Sequence, residues 1–327
     1  MSSIVEVTHL RKLFPVKKGG LFDRQEKFVH AIDDVSFTVE RGEVLAVVGE
    51  SGCGKSTLAL TLMGLERPTS GVIQINGQNI ATLKGKEIQV VRRHVQMIFQ
   101  DPYESLNPIM TIADIVAEPL KVHGLVKNKQ ERQERVIRAL EDAGLKPALN
   151  FMHRLPQELS GGQRQRVVIA GALVLEPELL IADEPVSMLD VSIRAEILNL
   201  LLELRQMRGI SIVMITHDLG TVGYVADRIA VMYLGRLVEI GPALQVLQQP
   251  HHPYTRALLS VVPVPNPRQR RERVILQGET PNPINLPPGC RFHPRCPVAQ
   301  PRCQETDPML QPVAAAHEAA CLLLSSG

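Results

Sequence analysis

The chain has 327 residues, of which 44% are hydrophobic and 21% are charged, a composition typical of globular proteins. Lysine and arginine total 36 against 34 acidic residues, so the net charge of +2 gives no overall drive toward nucleic acid. No apolar run approaches the ~18 residues that a membrane-spanning helix needs, and the amino terminus lacks the pattern of a secretory signal. The sequence therefore predicts a cytoplasmic protein, in which cysteines serve metal binding or the core more often than disulfides.

Short β-branched runs alternate with helical patterns over the first 249 residues, which predicts an α/β fold. The predicted strands are Ile4–Leu10, Asp34–Val39, Val44–Gly49, Val72–Ile75, Val95–Phe99, Leu179–Asp183, Ser211–Thr216 and Ile229–Leu234. The predicted helices are Ile112–His123, Lys129–Gly144, Gln163–Leu175 and Val191–Arg208. A helical subdomain at about residues 101–167 is therefore expected to interrupt the sheet.

Proline usage divides the chain near residue 250. Residues 1–249 contain ten prolines and residues 250–327 contain fourteen, too many for long helices in the shorter segment. The predicted organisation is one domain over 1–249 and an extension over 250–327. A basic run within the extension, Arg268–Arg273, is interpreted as a solvated linker.

The strongest motif is Gly49–Thr57, with the sequence GESGCGKST, between a predicted strand and a helical pattern. This context supports a phosphate-binding loop. Glycines let backbone N–H groups turn inward, the helix adds a positive N-terminus, Lys55 reaches the β- and γ-phosphates and Ser56 ligates Mg²⁺. Cys53 is interpreted as a small residue turned away from the ligand rather than as a redox-sensitive thiol. The predicted nucleotide-binding residues are Gly49, Ser51, Gly52, Cys53, Gly54, Lys55, Ser56 and Thr57.

Two carboxylates end the predicted strand Leu179–Asp183, where ligands bind in open α/β sheets. Asp183 is expected to hold Mg²⁺ through water. Glu184 is placed to accept a proton from an attacking water.

A third motif, Leu159–Arg166 (LSGGQRQR), resembles the signature of the ATP-binding-cassette (ABC) ATPases. Other elements of that family follow in the same order. Gln100 resembles the Q-loop glutamine, Ser187–Asp190 the D-loop and His217 the switch histidine, while Phe14 resembles the aromatic residue that stacks on adenine. Met188 departs from the small residue usual in the D-loop.

The resemblance implies a P-loop NTPase (RecA-like) core with an antiparallel β subdomain and a helical insert. It implies two cassettes closing head to tail around two ATP molecules, so that each signature faces the nucleotide of the other cassette. The nucleotide contacts carried over are Phe14, Ser160, Gly161, Gly162, Gln163 and Asp190. The implied catalytic residues are Glu184, His217 and Gln100, and the implied Mg²⁺ residues are Ser56, Gln100 and Asp183.

Three stretches, Gln100–Pro108, Met232–Glu239 and His252–Ser260, resemble the ATPases of bacterial dipeptide and oligopeptide importers, the second (F-type) subunit in particular. That resemblance implies an unlike second ATPase subunit, two transmembrane permease subunits and an extracytoplasmic peptide-binding protein. It also implies a peripheral position on the cytoplasmic face of the inner membrane and no nucleic-acid partner. Importers of nickel, glutathione and other small solutes share these stretches, so they remain an alternative.

Four cysteines of the extension, Cys290, Cys296, Cys303 and Cys321, have the spacing C-x5-C-x6-C-x17-C. Four thiolates suit one tetrahedral zinc ion or one [4Fe–4S] cluster, and the absence of a C-x2-C knuckle weakens a zinc ribbon. The extension resembles that of the peptide-importer ATPases, which implies the [4Fe–4S] cluster, with Zn²⁺ as the alternative. A metal is expected to supply the core that this Pro-rich segment lacks.

Three other classes fit the sequence less well. DNA-repair ABC ATPases insert long coiled coils or zinc modules before the signature, and ABC translation factors carry two cassettes in one chain. A metal sensor using ATP only as a structural ligand would not need Glu184 and His217.

Overall fold

A computed structural model describes residues 2–16, 26–262 and 274–324. These form two compact units. We call residues 2–4, 39–43 and 82–214 the helical unit, and the other described residues the loop unit, because they include the phosphate-binding loop. The basic run Arg268–Arg273 lies outside the described residues.

The strands are β1 (Ser3–Pro15), β2 (Phe28–Glu40), β3 (Val44–Val48), β4 (Ser70–Ile75), β5 (Gln78–Asn79), β6 (Val95–Ile98), β7 (Leu179–Asp183), β8 (Ser211–Thr216), β9 (Arg228–Tyr233), β10 (Arg236–Pro242), β11 (Gln311–Ala314) and β12 (His317–Ala319). The α-helices are α1 (Lys55–Leu62), α2 (Lys86–His94), α3 (Pro102–Ser105), α4 (Ile112–Val122), α5 (Lys129–Asp142), α6 (Gly161–Leu173), α7 (Val191–Arg208), α8 (Leu219–Val225), α9 (Ala243–Gln248) and α10 (Pro253–Ser260). None of the helices in the described ranges is long and apolar enough to cross a membrane.

The loop unit contains two groups of strands. A four-stranded sheet has the order β2-β1-β4-β5, in which β4 is antiparallel to both β1 and β5 and Val5 lies opposite Ile75. A second group has the order β11-β12-β10-β9-β3, in which β3 and β9 are parallel and the other pairs antiparallel. All five residues of β3 are buried, which agrees with its uninterrupted apolar sequence.

The helical unit combines β6, β7 and most of β8 with helices α2–α7. β6 and β7 are parallel, and α4, α5 and α6 pack against one another. Side chains cap the first turns of these helices: Thr111 accepts a hydrogen bond from the Asp114 N–H, and Asn128 accepts one from the Glu131 N–H. Gly209 directly follows α7, and its φ of 66° gives the left-handed turn that often closes a helix.

The α/β prediction is confirmed, and Leu179–Asp183, Ser211–Thr216 and Val191–Arg208 have the predicted bounds. Strands β1 and β2 are longer than predicted. Strand β10 was not predicted, although it follows β9 through a tight turn at Leu234 and Gly235. The hairpin β11–β12 was not predicted either, and its partner β10 lies far away in the sequence.

The extension does not lack a core, contrary to the expectation from its proline content. Tyr254, Leu259 and Phe292 are buried in one cluster with residues of β3, β9 and α8. The Phe292 ring lies 5.3 Å from the Tyr233 ring in an edge-to-face contact. Residues before the extension therefore provide the apolar partners that its own sequence does not.

A buried carboxylate also ties the extension to the cassette strands of the loop unit. Glu239 on β10 is fully buried and accepts hydrogen bonds from the backbone N–H groups of His251 and His252. The ring Nε2 of His317 on β12 lies 2.8 Å from a Glu239 oxygen. One side chain thus fixes both the start of α10 and the hairpin at the end of the chain.

Candidate nucleotide site and C-terminal extension

The backbone of the phosphate-binding loop depends on two glycines between β3 and α1. A Cβ atom at Gly49 would lie 2.2 Å from the Met232 carbonyl oxygen, and one at Gly54 would lie 2.0 Å from the Ala31 carbonyl oxygen. Gly54 has a φ of 109° and immediately precedes α1. The loop thus keeps its turn and its helix N-terminus only with glycine here, which fits a cradle for phosphate oxygens.

Lys55 begins α1 and is buried, and its Nζ donates to the carbonyl oxygens of Gly49 and Glu50 at 2.8 and 2.9 Å. Ser51, Gly52 and Ser56 are exposed, so their polar groups are open to an incoming ligand. The loop therefore contains the donors that bind an anion. These are the Lys55 ammonium and the backbone N–H groups at the start of a helix.

Cys53 is buried within the same loop, with its Sγ 3.8 Å from the Lys55 Nζ. Burial raises the pKa of this thiol, and the Lys55 charge only partly opposes that effect. A protonated, buried thiol is a poor nucleophile, which agrees with Cys53 as a packing residue.

The extension holds Glu50, the second residue of the loop. Tyr254 Oη accepts a hydrogen bond from the Glu50 N–H at 2.9 Å, and Thr280 Oγ1 donates to a Glu50 carboxylate oxygen at 2.7 Å. The Arg295 guanidinium donates to both carboxylate oxygens at 2.8 and 3.2 Å. Burial raises the pKa of Glu50, but the bonds from Arg295 and Thr280 and the charges of Arg295 and Lys55 outweigh it, so the pKa lies below its ordinary value.

The candidate base lies in the helical unit. Asp183 is the buried last residue of β7, and Glu184 follows with a φ of 46°, an uncommon backbone conformation outside glycine. Gln100 Nε2 donates to a Glu184 carboxylate oxygen at 3.0 Å. Two of the three residues predicted to be catalytic are therefore in contact: Gln100, which follows β6, and Glu184, which follows β7.

The signature motif opens helix α6. Ser160 accepts from the Gln163 N–H while the Gln163 side chain accepts from the Ser160 N–H, forming a capping box. A Cβ at Gly161 would lie 3.7 Å from Tyr103 Oη and 3.8 Å from a Leu189 methyl. The signature, the segment after Gln100 and the D-loop are therefore neighbours in the helical unit.

The remaining predicted residues occupy separate positions. Asp190 precedes the first residue of α7, next to the exposed Met188. His217 is exposed directly after β8. Phe14, near the end of β1, is half-buried, and the Lys12 ammonium lies 4.5 Å from the centre of its ring. The roles assigned to these residues stay predictions.

Cys290, Cys296, Cys303 and Cys321 of the extension are free thiols, and the Cys290 N–H donates to the Cys303 carbonyl oxygen at 2.9 Å. Burial, and then the other three cysteines, raise the pKa of Cys290 to about 11. Burial is also the main cause of the raised pKa values of Cys296 and Cys321. In the part of the chain that the structure describes, no three or more His, Cys, Asp or Glu side chains are arranged to hold a metal ion. The predicted metal site is thus not supported by the arrangement of its donors.

No sequence pattern identified Glu50, Tyr254, Thr280 or Arg295 as part of this site. Arg295 lies between two of the spaced cysteines, whose spacing predicts a metal site and gives no role to an arginine. Glu50 occupies a variable position of the loop motif. A charged residue at that position could have prompted a search for a partner of opposite charge, but the spacing did not identify which one.

Comparisons with known proteins agree on the class of this chain. Residues 32–187 match the family described as "ABC transporter", and residues 238–303 match "Oligopeptide/dipeptide transporter, C-terminal region". The oligopeptide transport ATP-binding protein AppF of Bacillus subtilis is 47% identical over 99% of this chain and 98% of that protein. OppF of Escherichia coli, also an oligopeptide transport ATP-binding protein, is 47% identical over 98% of this chain and 96% of its own length.

Solved structures share the fold. A dimeric ATP-binding cassette in a post-hydrolysis state, bound to ADP and Pi, is 29% identical and superposes with a TM-score of 0.64 over 73% of this chain and 98% of that chain. A Clostridium perfringens component of an ABC transporter complex gives a TM-score of 0.65 at 31% identity, over 76% of this chain and 92% of that chain. The chain has the ABC ATPase cassette fold and belongs to the ABC transporter family of ATP-binding proteins that carry the oligopeptide/dipeptide transporter C-terminal region.

Proposed function

We propose that this chain is the ATP-binding and ATP-hydrolysing subunit that powers a bacterial ABC importer of dipeptides or oligopeptides. The observation that carries the proposal is the match of residues 238–303 to the oligopeptide/dipeptide transporter C-terminal region. The near full-length similarity to AppF and OppF, both oligopeptide transport ATP-binding proteins, supports it. These relatives favour a peptide over nickel, glutathione or another small solute.

The proposed reaction is ATP hydrolysis by an activated water. Lys55 and the N–H groups of the loop bind the phosphates, and Ser56 and Asp183, with Gln100, hold Mg²⁺. When bound, Mg²⁺ neutralises charge on the phosphate oxygens. Glu184 accepts the proton of the attacking water, and the Gln100 amide orients that carboxylate through the 3.0 Å hydrogen bond.

Residues outside the loop complete the proposed binding set. Phe14 stacks on the adenine, and His217 contacts the γ-phosphate. Ser160, Gly161, Gly162, Gln163 and Asp190 act on the nucleotide of a second cassette. The position of Ser160–Gln163 at the N-terminus of α6 supports this role, since the positive end of a helix favours a negatively charged phosphate.

The proposed partners are a second, unlike ATPase, two transmembrane permease subunits and an extracytoplasmic peptide-binding protein, with this chain on the cytoplasmic face of the inner membrane as the F-type subunit. The segment after Gln100 is the proposed contact with the permeases. Its exposed Tyr103 and Ile109, 60% and 84% accessible, support this assignment, because exposed apolar groups of that size often mark interfaces.

A [4Fe–4S] cluster on Cys290, Cys296, Cys303 and Cys321, with zinc as the alternative, remains a prediction from spacing and resemblance. Metal and sulfide analysis of anaerobically purified protein tests it. About four iron and four sulfide per chain support the cluster, one zinc supports the alternative, and metal-free protein argues against both.

Peptide uptake in the source organism tests the proposed function. We expect deletion of the gene to reduce uptake of radiolabelled tri-alanine, and expression of the wild-type chain, but not of Glu184→Gln, to restore it. Uptake of nickel and of glutathione is measured in the same strains. Unchanged tri-alanine uptake together with loss of nickel or glutathione uptake would replace the peptide with that solute.

A further inference from the structure

Every polar group of Glu50 is engaged within the loop unit. Its N–H donates to Tyr254 Oη, its carbonyl oxygen accepts from Lys55 Nζ, and its carboxylate accepts from Thr280 and Arg295. Tyr254, Thr280 and Arg295 all belong to the extension. The backbone between Gly49 and Ser51 is thus fixed from outside the loop, at the point where it begins to curve.

The contact of Arg295 with Glu50 has the geometry of a strong ion pair. The two guanidinium nitrogens meet the two carboxylate oxygens in a fork, and the Arg295 side chain is only 9% exposed. Thr280 Oγ1 accepts from the same guanidinium at 3.2 Å and donates to Glu50, which closes a small network. Such a pair holds position more firmly than an exposed salt bridge does.

The charge of Glu50 explains why the loop needs this partner. A free carboxylate next to a phosphate-binding loop would repel the phosphates, because like charges at short range oppose each other. Arg295 neutralises that carboxylate and turns it away toward the extension. Lys55 donates to the carbonyl oxygen of Glu50, while the Glu50 carboxylate accepts from Arg295.

We propose that Arg295 is a positioning residue for ATP binding: through Glu50 it holds the phosphate-binding loop in shape and keeps the Glu50 charge from opposing the nucleotide. The inference rests on the proposal that this loop binds MgATP. It makes the segment between Cys290 and Cys296 a determinant of nucleotide affinity.

Arg291 provides a matched control from the same segment. Arg291 is buried, and its guanidinium donates to Asp33 and to the Leu234 carbonyl oxygen, both of which lie outside residues 49–57. Loss of Arg291 weakens the docking of the extension without removing the partner of Glu50. A general structural effect should therefore appear in both arginine variants, and a loop effect only in the Arg295 variant.

The test measures the Kd for MgATP of the full chain by calorimetry, and KM and kcat where turnover is measurable. We expect Arg295→Ala to raise Kd and KM about 10-fold or more, the range for lost charged hydrogen bonds, with a smaller change in kcat. Arg295→Lys should fall between wild type and Arg295→Ala, because it keeps the charge but loses the fork. Arg291→Ala should lower the unfolding temperature and leave Kd near the wild-type value.

A second substitution separates the effect of the Glu50 charge on ATP binding from a general effect on the structure. In Arg295→Ala/Glu50→Gln the repelling carboxylate is gone, so we expect Kd to recover most of the loss. Wild-type Kd in Arg295→Ala, or an equal rise in Arg291→Ala, would overturn the inference. Should Arg295→Ala not fold, a wild-type Kd in Arg295→Lys would overturn it as well. A wild-type chain that does not bind MgATP would instead refute the proposed function.

Discussion

The signature helix and the phosphate-binding loop both present a helix N-terminus, but they are held in different ways. The start of α6 is fixed by Ser160 and Gln163, three positions apart. The loop before α1 is fixed at Glu50 by residues 204, 230 and 245 positions away. The first helix start is therefore a local property of its sequence, whereas the second depends on how the end of the chain folds back.

This difference shows that a sequence motif does not reveal how firmly its loop is held. Both segments were predicted from short patterns, and both begin helices. Arg295 of the extension binds Glu50 of the phosphate-binding loop, and Phe292 packs against Tyr254, whose hydroxyl accepts from the Glu50 N–H. We expect substitutions that disturb the contacts of Arg295 or Tyr254 with Glu50 to loosen the loop and to leave the signature helix intact.

The largest expected effect separates chemistry from binding. Glu184→Gln, in the helical unit, should lower kcat for ATP hydrolysis by about 10²- to 10⁴-fold, because it removes the proton acceptor, and should preserve the Kd for MgATP. Lys55→Ala, in the loop unit, should instead raise that Kd. Steady-state hydrolysis and calorimetric titration of the two variants check this, and normal turnover by Glu184→Gln would contradict the assigned base.

Truncation of the extension's main apolar anchor should be the next largest effect. Phe292→Ala is expected to lower the free energy of unfolding by about 3–5 kcal/mol, since it empties a buried site beside Tyr233 and Tyr254. Urea unfolding measures this, and the exposed Ile275→Ala is the control. Hydrogen exchange should rise in the loop before it rises in α6, and a uniform rise would refute the dependence of the loop on the extension.

A pH dependence should distinguish the extension from the signature helix. Complete burial, followed by the Arg256 charge, lowers the pKa of His252 from 6.5 to about 3. Between pH 6.5 and about 3, His252 is therefore mostly protonated in the unfolded chain and neutral in the folded chain. Because the unfolded chain binds the extra proton, the free energy of unfolding falls as the pH drops from 6.5 toward 3. At pH 5 the loss should be about 2 kcal/mol.

His252→Asn provides the comparison, because asparagine also accepts at a helix N-terminus, as His252 does from the Tyr254 N–H. Its free energy of unfolding should change less between pH 7 and pH 5 than that of the wild type. Urea titrations at both pH values measure this. Equal pH dependence in the two proteins would show that His252 is not the responsible group.

The smallest expected effect concerns the local cap. Ser160→Ala should destabilise α6 by about 1 kcal/mol, because it removes the acceptor of the Gln163 N–H. Ser160→Asp keeps an acceptor and should restore most of the stability. Thermal unfolding measures both, and the Glu50 contacts should not change. A lowered MgATP affinity of the isolated chain in Ser160→Ala would contradict the independence of the two helix starts.

The sequence predicted what short patterns encode. The buried strands β3 and β7 have continuous apolar runs, and the phosphate-binding loop and the signature carry glycines and caps that only such turns require. The pairing of β12 with β10 and the fork between Arg295 and Glu50 could not be predicted, because they join distant residues whose types alone select no partner. The same holds for Phe292, an isolated aromatic residue in a proline-rich segment.

At Glu184, the backbone conformation lowers the stability of the fold, while the side chain is the proposed base for ATP hydrolysis. With a φ of 46°, this residue holds a conformation that glycine or asparagine adopts at lower cost than glutamate. Glu184→Gly would relax that backbone while deleting the base, so a selection for heat resistance alone would favour an inactive protein here. Engineering this ATPase for durability should therefore leave residue 184 untouched and look for gains elsewhere in the chain.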